Sequence, residues 1–193
     1  MDKPNPEQTP TAFSPQEGGT SPCAWEPAPL SHDQTERSPV PLSSGLRKRF
    51  LPGYRWEGVA VQEYKQRGAD WAGVIRQGIV GGEGEGAPFH LRYFEIRPGG
   101  YSSLERHHHE HLVIGIRGKG QVIVGSTWHE LGFLDVLYIP PDLPHQLFNP
   151  TEEPFGFFCI VRAERDRPQV LSDEERRRLG IPAPPHLEGL ENG

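Results

Sequence analysis

The sequence predicts an all-β fold, a small sandwich-like barrel, and three observations support this prediction. Six or seven short apolar runs lie between Phe89 and Val161. Turn signals separate them at the spacing typical of all-β domains, namely PGG, RGKG, GSTWHE, PPDLP and NPTEEP. Two of the runs, LRYFEI and LVIGI, flank a glycine turn, one carboxylate and four histidines, so this polar cluster is held between rigid elements.

The chain before the barrel divides into two segments. Residues 1–45 are predicted to form a disordered tail, because nine prolines precede Leu46 and few apolar residues accompany them. Such a segment cannot bury enough apolar area to offset the conformational entropy lost on ordering. Residues 46–87 are globular in composition, and we expect one or two strands, or a strand and a short helix, that cap the barrel's edge.

The barrel itself is predicted over residues 88–165, and residues 166–193 contain a short helix and a frayed end. The string SDEERRRLGIP indicates the helix, with Ser172 as its N-cap and Glu175 at the capping-box position. Acidic residues in the first turn and arginines in the last suit the helix dipole. Gly180 and Pro182 then predict the end of the helix.

Composition limits the classes of partner. A net charge of -6 and a pI near 5.8 argue against nucleic acid or an anionic membrane surface, and favour a small molecule or a protein. The start of the chain lacks the apolar core of a secretory signal, and no run of 18 apolar residues occurs. Cys23 and Cys159 do not form a disulfide framework. We therefore expect a protein of the cytoplasm.

The stretch from Pro98 to Gly120 predicts a metal site. Alternation along a strand points Glu105 and His107 to the same face, and His109 and His111 follow if the strand continues, whereas His108 points away. Four of the nine histidines fall within these five positions. Imidazole and carboxylate together suit one divalent transition metal of the group Mn, Fe, Co, Ni or Zn.

A second stretch, residues 131–149, supplies a further imidazole. A short apolar strand ends at Pro140, a proline-rich turn follows, and His145 opens another strand that closes at Asn149. His145 would bring the number of protein ligands to four. Zinc accepts four protein ligands as a closed structural site, whereas Mn, Fe or Ni keep positions open for substrate or water.

These two stretches resemble the two motifs of the cupin superfamily, and the resemblance spans roughly residues 88–162. It implies a double-stranded β-helix barrel of jelly-roll type, a metal and a homodimer. Glu105 stands where most cupins carry the first histidine, and Leu134 and Asp142 replace glycines of the second motif. The positions that match the motifs are Gly99, Glu105, His107, His111 and Gly118 in the first and Pro140, His145 and Asn149 in the second.

The ligand set that this resemblance implies is Glu105, His107, His111 and His145. Two alternatives remain open within it. His109 is an alternative ligand to Glu105, and Glu110 is a weaker alternative to His111.

The strings RYFEIRPGGYSSLERHHHEH and FFCIVRAERDRP are similar to a bacterial cupin subgroup that includes a methylsulfurylase of sulfur salvage. That resemblance implies transfer of a methylthio group from a methylthio-ketose phosphate to a thiol, released as a mixed disulfide. Cys159 would attack the thioether sulfur while the metal, as a Lewis acid, stabilises an enediolate-type carbanion. The alternative is that Cys159 is a small inert residue of the core.

If the substrate is a sugar phosphate, Lys65, Arg76 and Arg92 are the cations best placed to meet the phosphate; otherwise they are solvated or paired on strand faces. His90, Trp128 and His129 are assigned no chemistry. Two other functions stay open. An Fe(II) cupin dioxygenase would consume oxygen without needing Cys159, and a non-catalytic cupin would bind metal or sugar without turnover.

Overall fold

The structure is a computed structural model, and it describes residues 45–64, 71–82 and 84–183. Except for Gly45, the predicted disordered tail lies outside the described residues. The strands are β1 (Phe50–Leu51), β2 (Arg55–Trp56), β3 (Gln62–Glu63), β4 (Ala72–Val80), β5 (Phe89–Tyr101), β6 (Glu105–Arg106), β7 (His111–Arg117), β8 (Gly120–Val124), β9 (Thr127–Leu131), β10 (Val136–Ile139), β11 (His145–Phe148), β12 (Phe155–Arg162) and β13 (Gln169–Val170), followed by the helix α1 (Asp173–Arg178).

Eleven of the described strands form one sheet that curves into a nearly closed barrel, as the sequence predicts. The long strand β5 connects its two halves. Along most of its length β5 pairs antiparallel with β4 on one side and β12 on the other, and β12 continues to β7 and β10. At its end, Tyr101 pairs with Phe148 of β11, which leads to β8 and β6. The predicted jelly-roll barrel is therefore confirmed.

Inward-facing apolar side chains from both halves fill the barrel. Every second residue of β12 is buried, as expected of a strand with one face on the core. The core cluster includes Phe94, Val113, Leu147, Phe157 and Cys159.

The segment before β5 contributes more than an edge cap. Strand β4 is part of the barrel wall, because it pairs with β5 from Ala72 to Val80. The separate hairpin of β1 and β2 covers an outer face of that wall, where Trp56 lies with Ile79 and Tyr93. The ring centroids of Trp56 and Tyr93 are 5.0 Å apart.

Two tight turns place non-glycine residues in the left-handed backbone region. Leu134 and Asp142 both have a φ of 64°, and they occupy the positions where the second cupin motif has glycine. The motif's glycines are thus explained by backbone conformation, and this chain keeps the conformation with side chains that adopt it at a cost.

The C-terminal helix confirms its sequence prediction. The Ser172 side chain accepts a hydrogen bond from the backbone N–H of Glu175, and the Glu175 carboxylate accepts one from the backbone of Ser172. Gly180 then takes a φ of 65°, which ends the helix. No helix in the described ranges is long and apolar enough to cross a membrane.

Candidate metal centre and its cavity

A turn, rather than one continuous strand, gathers the histidines. Strand β6 ends at Arg106 and β7 begins at His111. Between them, the chain folds back so that His107 Nδ1 lies 2.8 Å from the carbonyl oxygen of His109. The turn is fixed to the segment before His145 by a hydrogen bond from the Asp142 N–H to the His107 carbonyl, 2.8 Å long. His108 is exposed and contacts the Asp142 carboxylate.

Three of the predicted ligands converge. The candidate ligand atoms of His107, His111 and His145 all lie within 4.8 Å of one another. The Nε2 atoms of His107 and His111 are 2.8 Å apart. His107 and His145 are buried and His111 is half-buried, so a metal bound between them would be largely shielded from water.

The Nδ1 atoms of His107 and His145 form the hydrogen bonds expected of histidines that bind a metal through Nε2. His107 Nδ1 faces the His109 carbonyl, and His145 Nδ1 faces the Leu143 carbonyl at 2.9 Å. A carbonyl only accepts, so Nδ1 of each ring carries the proton, which leaves the Nε2 lone pair available for a metal. The donor set therefore fits a divalent transition metal.

Burial keeps these imidazoles neutral. It lowers the pKa of His145 to about 4, and the nearby His107 adds to the decrease. The pKa values of His107 and His111 are lowered for the same first reason, desolvation, with repulsion from neighbouring histidines contributing strongly at His111. Neutral imidazole is the form that binds a metal.

Two further side chains compete for the fourth ligand position. Glu105 lies directly opposite His145 in the register of β6 and β11, is buried, and accepts a hydrogen bond from the Tyr64 hydroxyl at 3.3 Å. His109 belongs to a second group with His107 and Asp166, and its Nδ1 lies 2.7 Å from Asp166 Oδ1. Glu110 forms an ion pair with Arg162 at the surface. Neither Glu105 nor Glu110 belongs to either group.

A cavity of about 280 Å³ opens beside the histidines. Its size suits a small metabolite. Its apolar lining comes from β4, β5, β7, β11, β12 and Pro168. Its polar lining comprises Tyr64, Arg76, Arg92, Ser102, Glu105, His109, His111, His145, Cys159, Arg165 and Asp166.

Cys159 lines the cavity together with two members of the three-histidine group, His111 and His145. Its Sγ lies 3.1 Å from His111 Nδ1 and 3.2 Å from Arg92 Nη2, and the side chain is a free thiol. Burial raises the pKa of this thiol, and the Arg92 cation opposes that increase. The prediction that Cys159 faces the same space as the histidines thus has a geometric basis, although Cys159 also belongs to the apolar core.

Some residues of the site were not assigned a role from the sequence. Tyr64 comes from the segment before β4, and Arg165 and Asp166 follow the end of β12. The string FFCIVRAERDRP contains the last two, but its polar half reads as a linker after a strand. Of the predicted phosphate cations, Arg76 and Arg92 line the cavity, whereas Lys65 lies outside the described residues.

Comparison with known proteins agrees with this architecture. The family model of the cupin domain matches residues 92–161. A protein of Rhodospirillum rubrum named 1-methylthio-D-xylulose 5-phosphate methylsulfurylase is 41% identical over 131 residues, which are 67% of this chain and 83% of that protein. The chain therefore belongs to the cupin superfamily of small β-barrel proteins.

Within that superfamily, the chain is similar to the methylsulfurylase subgroup. Among solved structures, a cupin-2 domain of R. rubrum superposes with a TM-score of 0.61 at 38% identity, covering 69% of this chain and 88% of that one. A cupin 2 conserved barrel protein of Rhodopseudomonas palustris gives 0.62 at 40% identity, with coverages of 69% and 91%.

Proposed function

We propose that this chain catalyses thiol-dependent transfer of the methylthio group from a methylthio-ketose phosphate, with Cys159 as the nucleophile. The substrate and reaction class come from the name of the R. rubrum relative. The observation in the chain itself that supports them most is the position of Cys159 Sγ, in the cavity wall and 3.1 Å from a histidine of the three-histidine group.

The metal would be held by His107, His111 and His145, with Glu105 as fourth ligand. We prefer Glu105 to His109 because Glu105 lies opposite His145, while the Nδ1 of His109 is engaged by Asp166 in the second group. When bound, the metal supplies Lewis-acid polarisation of the substrate carbonyl.

Two neighbours prepare Cys159 for attack. If His111 Nε2 is a ligand, its proton resides on Nδ1, and that N–H donates to Cys159 Sγ. Arg92 Nη2 donates to the same sulfur. Hydrogen bonds from two donors, one of them a cation, favour the thiolate over the thiol and counteract the effect of burial.

The reaction balances with the second thiol as the two-electron reductant. The Cys159 thiolate forms a bond to the thioether sulfur, and the bond between that sulfur and C1 breaks. The electron pair leaves on C1 as the enolate of the adjacent carbonyl, which gains a proton to give the deoxy-ketose phosphate. Cys159 then holds the methylthio group as a disulfide. A second thiolate attacks the methylthio sulfur, releases the mixed disulfide and restores the Cys159 thiolate.

An assay with 1-methylthio-D-xylulose 5-phosphate and the monothiol glutathione under anaerobic conditions tests this proposal. We expect mass spectrometry to detect 1-deoxy-D-xylulose 5-phosphate and a methylthio mixed disulfide with the wild-type protein and with the Cys23→Ser control. Cys159→Ser should form neither. Full turnover by Cys159→Ser would refute the nucleophile role. Substrate consumption that occurs only when the assay is repeated in air, with oxygen uptake, would favour an Fe(II) dioxygenase instead.

A further inference from the structure

A cluster of three arginines lies where the cavity opens to the surface. Arg76, Arg92 and Arg165 line the cavity beside the histidines, and the same three line an adjoining outer pocket of about 350 Å³. His90 is part of the outer pocket. These arginines come from β4, β5 and the segment after β12, so the fold brings them together from distant parts of the sequence.

Within the described residues, no acidic side chain forms an ion pair with any of these three guanidinium groups. Arg76 donates to the Gln62 amide oxygen at 2.7 Å, and Arg165 Nη1 donates to the carbonyls of Arg162 and Ala163, each at 3.1 Å. Neutral acceptors therefore orient the side chains but do not compensate their charge. The three guanidinium groups therefore repel one another. Burial lowers the pKa of Arg165 most, and the charges of Arg92 and Arg76 lower it further.

Arg92 contacts the candidate nucleophile and carries one N–H that has no partner among the described residues. Its Nη2 contacts Cys159 Sγ, whereas its Nε is buried and has no hydrogen-bond partner among the described residues. An unpaired N–H in a protein interior is costly, and it is found where a ligand or water supplies the acceptor. The Arg92 side chain thus touches the candidate nucleophile and also lines both the cavity and the outer pocket.

We infer that Arg76, Arg92 and Arg165, with His90 at the edge, bind the phosphate group of the substrate at the mouth of the cavity. The inference rests on the proposed function for the rest of the substrate. Three cations suit a dianionic phosphate ester better than a carboxylate, and the planar guanidinium fork matches phosphate oxygens. Arg92 also contacts Cys159 Sγ. A phosphate bound by Arg92 therefore positions the methylthio end of the substrate beside Cys159.

Equilibrium binding to the metal-loaded protein tests the inference without any sulfur chemistry. The probes are D-xylulose 5-phosphate and D-xylulose, measured by calorimetry with wild type, Arg76→Gln, Arg165→Gln and the control Arg162→Gln. The control arginine is nearby but forms an ion pair with Glu110. We expect Arg76→Gln and Arg165→Gln to weaken binding of the phosphate ester about tenfold or more and to leave D-xylulose binding unchanged.

Thermal unfolding with inorganic phosphate gives a second readout that does not depend on the sugar. Phosphate should raise the Tm of wild type and of Arg162→Gln, and raise it less in the two cluster variants. These variants should fold, because removing one cation relieves repulsion within the cluster.

The inference is wrong if the cluster variants bind both probes as wild type does, or lose both equally. It is also wrong if they weaken binding of glutathione, an anionic thiol, rather than of the phosphate ester. If methylthio release fails in every assay while this binding pattern holds, the reaction is wrong and the phosphate site stands. If methylthio release occurs while the variants keep wild-type phosphate affinity, the phosphate site alone is wrong.

Discussion

At the scale of single residues, the candidate site depends on how each imidazole is held. The Nδ1 atoms of His107 and His145 face backbone carbonyls, and that of His111 faces the Cys159 thiol. Each ring is thereby oriented from outside the metal position. Of these three Nδ1 contacts, only the one from His111 involves a reactive side chain. In the proposed reaction the His111 ring therefore both binds the metal and donates a hydrogen bond to Cys159.

Glu105→Gln and His109→Gln distinguish the two candidates for the fourth ligand. We expect Glu105→Gln to lower metal affinity at least about tenfold, because an amide is a weaker ligand than a carboxylate. His109→Gln should have a smaller effect, since His109 belongs to the separate group with Asp166. Metal titration with a competing chelator measures both. The opposite order would assign the fourth position to His109.

The sequence predicted the histidines of the site but not its complete lining. The spacing of His107, His109 and His111 and the turn before His145 are local patterns that identified the two stretches, and the resemblance to the cupin motifs implied that they meet. The contact between His109 and Asp166 spans 57 positions, and that between Tyr64 and Glu105 spans 41. Contacts between residues so far apart depend on how the barrel closes, which no local pattern specifies.

At the scale of elements, turns hold the site-bearing strands in position. The turn at Leu134 joins β9 to β10, and the turn at Asp142 leads into β11. The strand does not continue from His107 to His111, because the backbone bends to make the contact between His107 and the His109 carbonyl. Alternation predicted only that His108 points away from His107, and the bend is what brings the other rings together.

Leu134→Gly should stabilise the fold by about 1 kcal/mol, because glycine adopts a positive φ without the steric cost borne by other residues. Leu134 is 63% exposed, so little buried apolar area is lost. Urea denaturation measures the change. Leu134→Ala serves as the control and should show no gain, because its Cβ retains the strain. Equal gains in both variants would contradict the explanation from backbone conformation.

Asn149→Ala should destabilise the fold by about 2–4 kcal/mol, because several buried hydrogen bonds depend on this side chain. Its amide donates to the carbonyls of Ile96 and Glu153, and its carbonyl accepts from Thr151. Thr151→Val removes one hydroxyl only and should cost less, about 1 kcal/mol. Loss of activity in Asn149→Ala at unchanged stability would show instead that Asn149 acts in the site.

At the scale of the whole molecule, the barrel encloses a cavity that is lined both by apolar side chains of the core and by the polar residues of the site. The all-β class and the C-terminal capping box were predictable from turn signals and local patterns. The contribution of β4 to the barrel wall was not predictable from local patterns. The pairing of β4 with β5 depends on which edge of the sheet is left open. The homodimer implied by the resemblance stays a prediction, which sedimentation of the purified protein would test.

Metal binding should stabilise the whole fold, since the three-histidine group joins the turn after β6, β7 and β11. We expect about one transition metal per chain by mass spectrometry of anaerobically purified protein. At a hundredfold excess over Kd, a metal adds about 2.7 kcal/mol of stability, so chelation should lower the Tm. His107→Ala and His145→Ala should lose both the metal and this dependence. A chelator-independent Tm in the metal-containing wild type would contradict it.

The central claim, that Cys159 takes the methylthio group, is tested most directly by a single turnover without added thiol. The metal-loaded protein is mixed with 1-methylthio-D-xylulose 5-phosphate, and the intact protein and its peptides are analysed by mass spectrometry. The account predicts a methylthio group in place of one hydrogen on the peptide that contains Cys159, removed when dithiothreitol is added. Formation of 1-deoxy-D-xylulose 5-phosphate with an unmodified Cys159 would contradict it.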